Sequence, residues 1–111
     1  MTLANPESTL DWHMPHIDSF MPHYNAIYYV NDSDGDTVIF NETNEDYDPG
    51  QSDINKIQEN KFTVKYRVTP KRGKMVVFPG KYYHSSSPVR NHKYRCVINM
   101  NLGKVLWTIL N

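Results

Sequence analysis

Short runs of β-branched and aromatic residues, each bounded by Asn, Asp, Gly or Pro, constrain the fold of this chain most strongly. Within these runs apolar residues alternate with polar ones or stand together briefly, and helix-forming periodicity is nearly absent. A hairpin turn is predicted at 31–35 and another tight turn at 70–73, where Asn, Asp, Pro and Gly supply the turn conformations. The pattern indicates an all-β sandwich or barrel. The predicted strands cover residues 12–18, 25–31, 35–40, 62–68, 74–79, 81–86 and 94–102.

The region between the third and fourth predicted strands has a different character. Residues 41–60 are polar, contain Pro49-Gly50 and follow no clear period, so a long loop is predicted, with one helical turn near 53–59. No internal repeat and no linker interrupts the 111 residues. We therefore expect one domain over 1–111.

Charge is distributed unevenly along the chain although its formal sum is zero. Residues 1–55 contain eleven of the twelve acids and no Lys or Arg, whereas residues 61–111 contain eleven of the twelve bases and no acid. Because both halves are strand-rich, we expect them to interleave as neighbouring strands. A net charge of zero argues against nucleic-acid binding by phosphate neutralisation. The cluster Lys65, Arg67, Lys71, Arg72 and Lys74 is predicted to be a solvated hairpin that faces the acids of residues 32–48.

Targeting and redox features point to an intracellular protein. The apolar runs at 26–30 and 75–78 are too short for a transmembrane helix, and the first residues lack the basic start of a secretory signal. A single cysteine, Cys96, cannot form an internal disulfide. The expected location is the cytoplasm.

The last predicted strand has an apolar face that needs a cover. Alternation places Arg95, Val97, Asn99 and Asn101 on one face, and Cys96, Ile98, Met100 and Leu102 on the other. The tail at 105–110 adds further apolar surface. We expect the outer face of 96–102 to be covered by a missing N-terminal layer, by the tail, or by a second copy in a homo-oligomer.

The chemistry is concentrated in three residues. In His16-Ile17-Asp18, the two-residue period of a strand places the imidazole and the carboxylate on one face. His84, in the basic half, completes a set of two histidines and one carboxylate, the facial triad that leaves three positions of octahedral Fe(II) open. A keto acid needs two open positions and O2 needs one, which favours oxidative chemistry.

A basic residue follows on the last predicted strand. Arg95 lies eleven positions after His84, and its guanidinium could bind a distal carboxylate with two hydrogen bonds. Arg90 is the competing candidate, but it falls in a predicted loop. The remaining histidines, His13, His23 and His92, are interpreted mainly as structural or solvated.

Taken together, these residues resemble the Fe(II)- and 2-oxoglutarate-dependent dioxygenases, in particular the prolyl 4-hydroxylase-like group and its short members from tailed phages. The resemblance spans residues 12–102. It is carried by Pro15-His16-Ile17-Asp18, Ile27-Tyr28-Tyr29-Val30-Asn31, Gly35-Asp36-Thr37-Val38-Ile39-Phe40, Gly73-Lys74-Met75-Val76-Val77-Phe78, His84, Pro88 and Tyr94-Arg95.

The resemblance implies a double-stranded β-helix, a jelly-roll (cupin-like) sandwich with iron between its sheets. His16, Asp18 and His84 would bind the metal, and Arg95 and Tyr29 would bind the far carboxylate of 2-oxoglutarate. Ile27 and Thr37 would line the cosubstrate site. The implied cofactor and cosubstrates are Fe(II), 2-oxoglutarate and O2, with ascorbate as a further candidate.

The expected activity is hydroxylation of an unidentified protein or small molecule, with release of succinate and CO2. Only fifteen residues precede His16, so we expect the fold to be incomplete on its N-terminal side, as in a truncated member, an assembly subunit or a fragment of a longer protein. If the protein is phage-encoded, it would act in the host cytoplasm. The alternatives are a catalytically inactive β-sandwich that binds or assembles, and a jelly-roll metal protein without keto-acid chemistry.

Overall fold

Strands joined by turns form the whole of the chain that can be described, which is residues 1–19, 21–47 and 62–103 of a computed structural model. These residues contain no helix, and accordingly none that could cross a membrane. The fold is all-β with antiparallel sheets, as the sequence predicted, and is consistent with a jelly-roll sandwich. Its strands are β1 (Thr2–Leu3), β2 (His23–Tyr29), β3 (Thr37–Thr43), β4 (Val64–Val68), β5 (Met75–Pro79), β6 (Tyr82–Ser86), β7 (Tyr94–Arg95) and β8 (Val97–Gly103).

Two three-stranded sheets and one two-stranded ribbon make up the described fold. One sheet has the order β5-β2-β8, the other has the order β4-β3-β6, and β1 pairs with β7. Consecutive strands β2 and β3 belong to different sheets, as do β4 and β5. The chain therefore crosses repeatedly between the sheets, which brings residues distant in sequence to the same interior.

The core consists of two apolar clusters on opposite sides of β3. Ile39 faces the first cluster with Ile27, Tyr29 and Phe78, between the two sheets. The second cluster lies on the other side of β3 and contains Ile17, Val38, Phe40 and Tyr83, with Trp12, Tyr47 and Phe62 packed against it. Because β3 is buried on both faces, its sequence Val38-Ile39-Phe40 is continuously apolar.

Several strand boundaries differ from the prediction. The predicted strand over 12–18 is reduced to one antiparallel bridge between His16 and His84. The register is irregular there: His13 and His16, three residues apart, donate their backbone N–H groups to Ser86 and His84, which are two residues apart on β6. The predicted loop begins later than expected, since β3 continues to Thr43.

The last predicted strand, 94–102, is divided into β7 and β8 at Cys96. The backbone N–H of Cys96 donates to Oδ1 of Asn31 at 2.8 Å, so a side chain replaces the strand partner there. Cys96 is partly buried. The predicted helical turn near 53–59 and the apolar tail at 105–110 lie outside the described residues.

The acidic and basic halves interleave as predicted. Arg67 on β4 pairs with Asp36 at 3.2 Å, and Lys81 pairs with Glu45 at 3.5 Å. The turn at 70–73 also forms, with Gly73 at a φ of 85°. It contacts the first half of the chain through the backbone N–H of Arg72, which donates to Asp32 Oδ1 at 2.8 Å. The predicted hairpins at 31–35 and at 65–74 are wrong, because the strands that flank each connection pair within different sheets.

Candidate metal centre and cosubstrate cavity

The first candidate ligands lie on a short extended segment beside β6. His16 and His84 exchange two backbone hydrogen bonds of 3.0 Å, which fixes the segment against the strand that carries His84. Ile17 points the other way and is buried in the core cluster around Phe40. Anchoring Ile17 turns its neighbours His16 and Asp18 toward the opposite side, as alternation requires.

The three predicted ligands meet at one point. Asp18 Oδ1 lies 3.2 Å from His16 Nε2 and 3.3 Å from His84 Nε2. One donor atom from each residue lies within 4.8 Å of the other two. Two imidazole nitrogens and one carboxylate oxygen on one side of a site are the donor set of a facial triad.

Backbone carbonyls orient both imidazole rings. His16 Nδ1 lies 3.1 Å from the carbonyl of Met14, and His84 Nδ1 lies 3.3 Å from the carbonyl of Tyr82. Since a carbonyl only accepts hydrogen bonds, each Nδ1 carries the proton in the neutral ring. Each Nε2 faces Asp18, so in the metal-free chain it donates its proton to that carboxylate, and a bound metal would replace the proton at the Nε2 lone pair.

The electrostatics of the cluster favour a charged carboxylate. Hydrogen bonds from His16 and His84 hold the pKa of Asp18 well below its usual value. The hydrogen bond to Asp18 raises the pKa of His16, and burial opposes this shift. Asp18 therefore remains an anion at neutral pH, and the cluster is suited to hold a cation between its donors.

The two imidazoles differ in their exposure. The His84 side chain is 7% exposed and packs against the rings of Phe78 and His16, at centroid distances of 5.1 and 4.6 Å. The His16 side chain is 54% exposed. One side of the donor cluster is thus held by the core and the other is open to solvent.

A second polar cluster lies deeper between the sheets. Arg95 is 8% exposed and donates from Nε to the Gly35 carbonyl at 2.8 Å and from Nη2 to Thr37 Oγ1 at 2.9 Å. The Tyr29 hydroxyl lies 2.6 Å from the same Thr37 oxygen, and burial raises the pKa of Tyr29. Arg95, Tyr29 and Thr37 are brought together although they come from three strands.

Arg95 is a buried cation, and the part of the chain that the structure describes supplies no ion-pair partner for it. Burial lowers its pKa, but an arginine stays charged at any physiological pH. Within the described residues no carboxylate forms an ion pair with it. The guanidinium retains donors that are not used by Gly35 or Thr37, and a buried charge of this kind is suited to bind an anionic ligand.

One cavity joins the donor cluster to Arg95, whereas Tyr29 and Thr37 are buried outside its lining. It has a volume of about 100 Å³, and the donor cluster and Arg95 both line it. Ile27, which is 6% exposed, forms part of the apolar wall between them.

Comparison with known proteins agrees with this geometry. The profile of the 2OG-Fe(II) oxygenase superfamily matches residues 4–103. The chain belongs to this superfamily. No curated protein and no solved structure gives a significant match.

Membership of the 2OG-Fe(II) oxygenases implies Fe(II), 2-oxoglutarate and O2, and the chain's own residues fit that set. Nitrogen and carboxylate donors suit ferrous iron, and both Nε2 atoms face Asp18 as ligation demands. A dicarboxylate that reaches from the donor cluster would meet the unpaired charge of Arg95 in the same cavity.

Sequence reasoning missed three polar residues of the oxygenase cavity. Asn99 lines it from β8, and Ser85 and Ser86 line it beside His84. The alternation that places Arg95 and Asn99 on one face was a usable signal for the first. For the serines, adjacency to His84 was the only signal.

The competing basic residue lies elsewhere in the fold. The Arg90 guanidinium donates to the backbone carbonyls of Ser8 and Leu10 and so binds the N-terminal segment. His92 lies beside Asp34, and His13 and His23 are also outside the cavity lining.

Proposed function

We propose that the chain is an Fe(II)- and 2-oxoglutarate-dependent hydroxylase of the prolyl 4-hydroxylase-like group, which releases succinate and CO2. One observation carries the proposal: His16, Asp18, His84 and the unpaired Arg95 line a single cavity. When bound, Fe(II) with the keto acid and O2 would supply the oxidising power that hydroxylates a C–H bond. The substrate is a protein or small molecule that the sequence does not identify.

In this proposal three residues hold the metal. His16 and His84 contribute Nε2 and Asp18 contributes a carboxylate oxygen. The carbonyls of Met14 and Tyr82 keep each Nδ1 protonated, so the rings need not reorient when the metal enters. Three coordination positions remain for the keto acid and O2.

The cosubstrate is held by the second cluster. Arg95 binds its far carboxylate through the donors that Gly35 and Thr37 leave free, because a charge-assisted pair is the strongest contact available in the cavity. The Tyr29 hydroxyl assists that carboxylate, and Thr37 orients both groups. Ile27 packs against the carbon chain and excludes water from it.

The finer assignment rests on the sequence. The segment 27–31 matches the Tyr-Tyr-Leu-Asn-type strand of the prolyl 4-hydroxylase-like group, and the spacing of 73–78, His84 and Arg95 matches the short tailed-phage type. We therefore propose peptidyl proline as the first substrate to test and ascorbate as the reductant that keeps the metal ferrous. Proline-containing peptides incubated with the chain should gain one oxygen atom in mass spectra, more so with ascorbate.

The decisive experiment is an anaerobic titration of the purified chain with Fe(II) and 2-oxoglutarate. A keto acid chelated to ferrous iron gives a weak charge-transfer band in the visible, so a saturable band would place both ligands in one site. A folded chain without the band would overturn the proposal. That result would favour the alternative of an inactive sandwich that binds or assembles.

Matched variants assign the residues. His84→Ala should abolish tight Fe(II) binding, whereas His92→Ala, outside the cavity, should leave it unchanged. Arg95→Ala should keep Fe(II) binding but weaken the binding of 2-oxoglutarate about tenfold or more, since it removes a buried charge-assisted contact. Should Arg90→Ala weaken 2-oxoglutarate instead, the cosubstrate role would move to Arg90.

A further inference from the structure

A second cleft opens where the two sheets part. β4 is an edge strand of one described sheet and β5 is an edge strand of the other, and the turn at 70–73 joins them. A cavity of about 410 Å³ lies between these edges. This volume is in the range of small-molecule sites.

The floor of the cleft is apolar. Val68 comes from β4, Val76 and Phe78 come from β5, and Ile39 lies behind them. Ile39 and Phe78 are 3% and 6% exposed, so they belong to the packed core and form a fixed surface. Such a floor binds hydrocarbon through the hydrophobic effect.

The rim of the cleft is cationic. Lys65 and Arg67 line it, and the lining includes no acidic residue. Lys65 Nζ lies over the rings of Tyr66 and Tyr82, at 5.5 and 5.6 Å from their centroids. Asp36 pairs with Arg67, but within the described residues no ion pair involves Lys65. Lys65 is therefore a positive charge held at the mouth by aromatic contacts.

We propose that this cleft binds a small amphiphilic carboxylate. Its hydrocarbon body would lie against Val68, Val76 and Phe78, and its carboxylate would pair with Lys65. Charge complementarity selects the anion. An amphiphile with the same hydrocarbon chain but a cationic head group would be repelled by Lys65 and Arg67. An uncharged rim would make no such distinction.

The cleft is separate from the oxygenase cavity, with which it shares no lining residue. The two linings are packed against each other: Phe78 lines the cleft and its ring packs against His84 at a centroid distance of 5.1 Å. The proposal does not depend on metal binding and can be tested on the metal-free chain.

The test titrates the full chain with decanoate, using acetate and decyltrimethylammonium as matched probes, all below micelle-forming concentrations. Methyl signals in NMR spectra report where each probe binds. We expect decanoate to shift the methyl signals of Val68 and Val76 saturably and to leave Ile98 and Met100, on the exposed outer face of β8, unshifted. Acetate and decyltrimethylammonium should leave all four signals unshifted at the same concentrations.

Two variants test the role of the rim. Lys65→Gln should weaken the binding of decanoate about fivefold, as expected for the loss of one partly exposed ion pair. Lys74→Gln removes an exposed charge from the connection between β4 and β5 and should leave the affinity unchanged. Equal weakening by both variants, equal binding of the cationic probe, or shifts confined to Ile98 and Met100 would each overturn the proposal.

Discussion

The outer faces of the two sheets are covered very differently. Behind the β4-β3-β6 sheet, Val38 and Phe40 have no solvent exposure, because Trp12, Ile17 and Phe62 pack over them. On the β5-β2-β8 sheet the outward side chains remain in contact with solvent. Their exposed fractions are 36% for Tyr28, 53% for Met75, 36% for Val77, 53% for Ile98 and 37% for Met100.

This contrast separates two uses of apolar sequence. The segment that covers Phe40 is the same one that places His16 and Asp18, so burying Ile17 also orients the proposed metal ligands. The exposed face has no described cover and lies on the side of β2 and β8 away from the cavity. Substitutions on the covered face of the β4-β3-β6 sheet should therefore disturb the proposed metal site, whereas substitutions on the exposed face of the β5-β2-β8 sheet should not.

The largest effect is expected at Phe40. Phe40→Ala removes a fully buried ring that packs at 5.0 Å from the rings of Trp12 and Phe62, and should cost about 3–5 kcal/mol in the free energy of unfolding. Met75→Ala, on the exposed face, should cost less than about 1 kcal/mol. Urea denaturation followed by tyrosine and tryptophan fluorescence measures both. Similar losses for the two variants would mean that the two faces are not as different as their exposure indicates.

How well the sequence predicted the site depends on distance along the chain. The orientation of His16 and Asp18 follows from alternation alone, which is a local property. The meeting of His84 with Asp18 depends on strand pairing across the whole fold, so the residue types only suggested His84 as the third ligand, and the order and spacing of the resemblance supported that choice. Arg95 shows the same limit: alternation gave its face, but its contacts with Tyr29 and Thr37 come from three strands.

The predicted strand boundaries failed where individual hydrogen bonds interrupt the ladder. His13 and His16 are three residues apart but donate to Ser86 and His84, which are two apart, so the segment forms one bridge and no strand. Asn31 takes the N–H of Cys96 and divides the final strand. Periodicity detects which face a residue occupies, but it contains no information on such individual hydrogen bonds.

A smaller effect is expected at the connection between the sheets. Asp34, between β2 and β3, accepts backbone hydrogen bonds from Arg90, Asn91 and His92 at 3.1, 2.8 and 3.4 Å. Burial alone would raise the pKa of Asp34, but these hydrogen bonds outweigh it and lower the pKa. Asp34→Asn should cost about 1–2 kcal/mol at neutral pH, because it weakens charge-assisted bonds to the loop before β7.

The sign of the pH dependence follows from the lowered pKa. A carboxyl whose pKa is lower in the folded state stabilises the fold above its unfolded pKa, which is about 4 for Asp. That contribution disappears as the pH falls through the folded pKa. The stability difference between the wild type and Asp34→Asn should therefore be full at pH 6–7 and shrink below about pH 4 in thermal unfolding experiments. A difference that stays constant with pH would assign the loss to shape and not to charge.

The smallest effect on stability, and the sharpest test of the exposed face, concerns Ile98. Ile98→Lys should change the free energy of unfolding by no more than about 0.5 kcal/mol, since its side chain is already half in water. If a second copy covers this face, which is one of the three covers that the sequence indicated, sedimentation velocity should show the wild type associating with rising concentration and Ile98→Lys remaining monomeric. Leu10→Lys is the matched control, because Leu10 has the same exposed fraction of 53% but lies in the N-terminal segment, outside the β5-β2-β8 sheet. Equal association of the wild type and both variants would place the contact elsewhere, and a monomeric wild type would show that the face stays uncovered between copies.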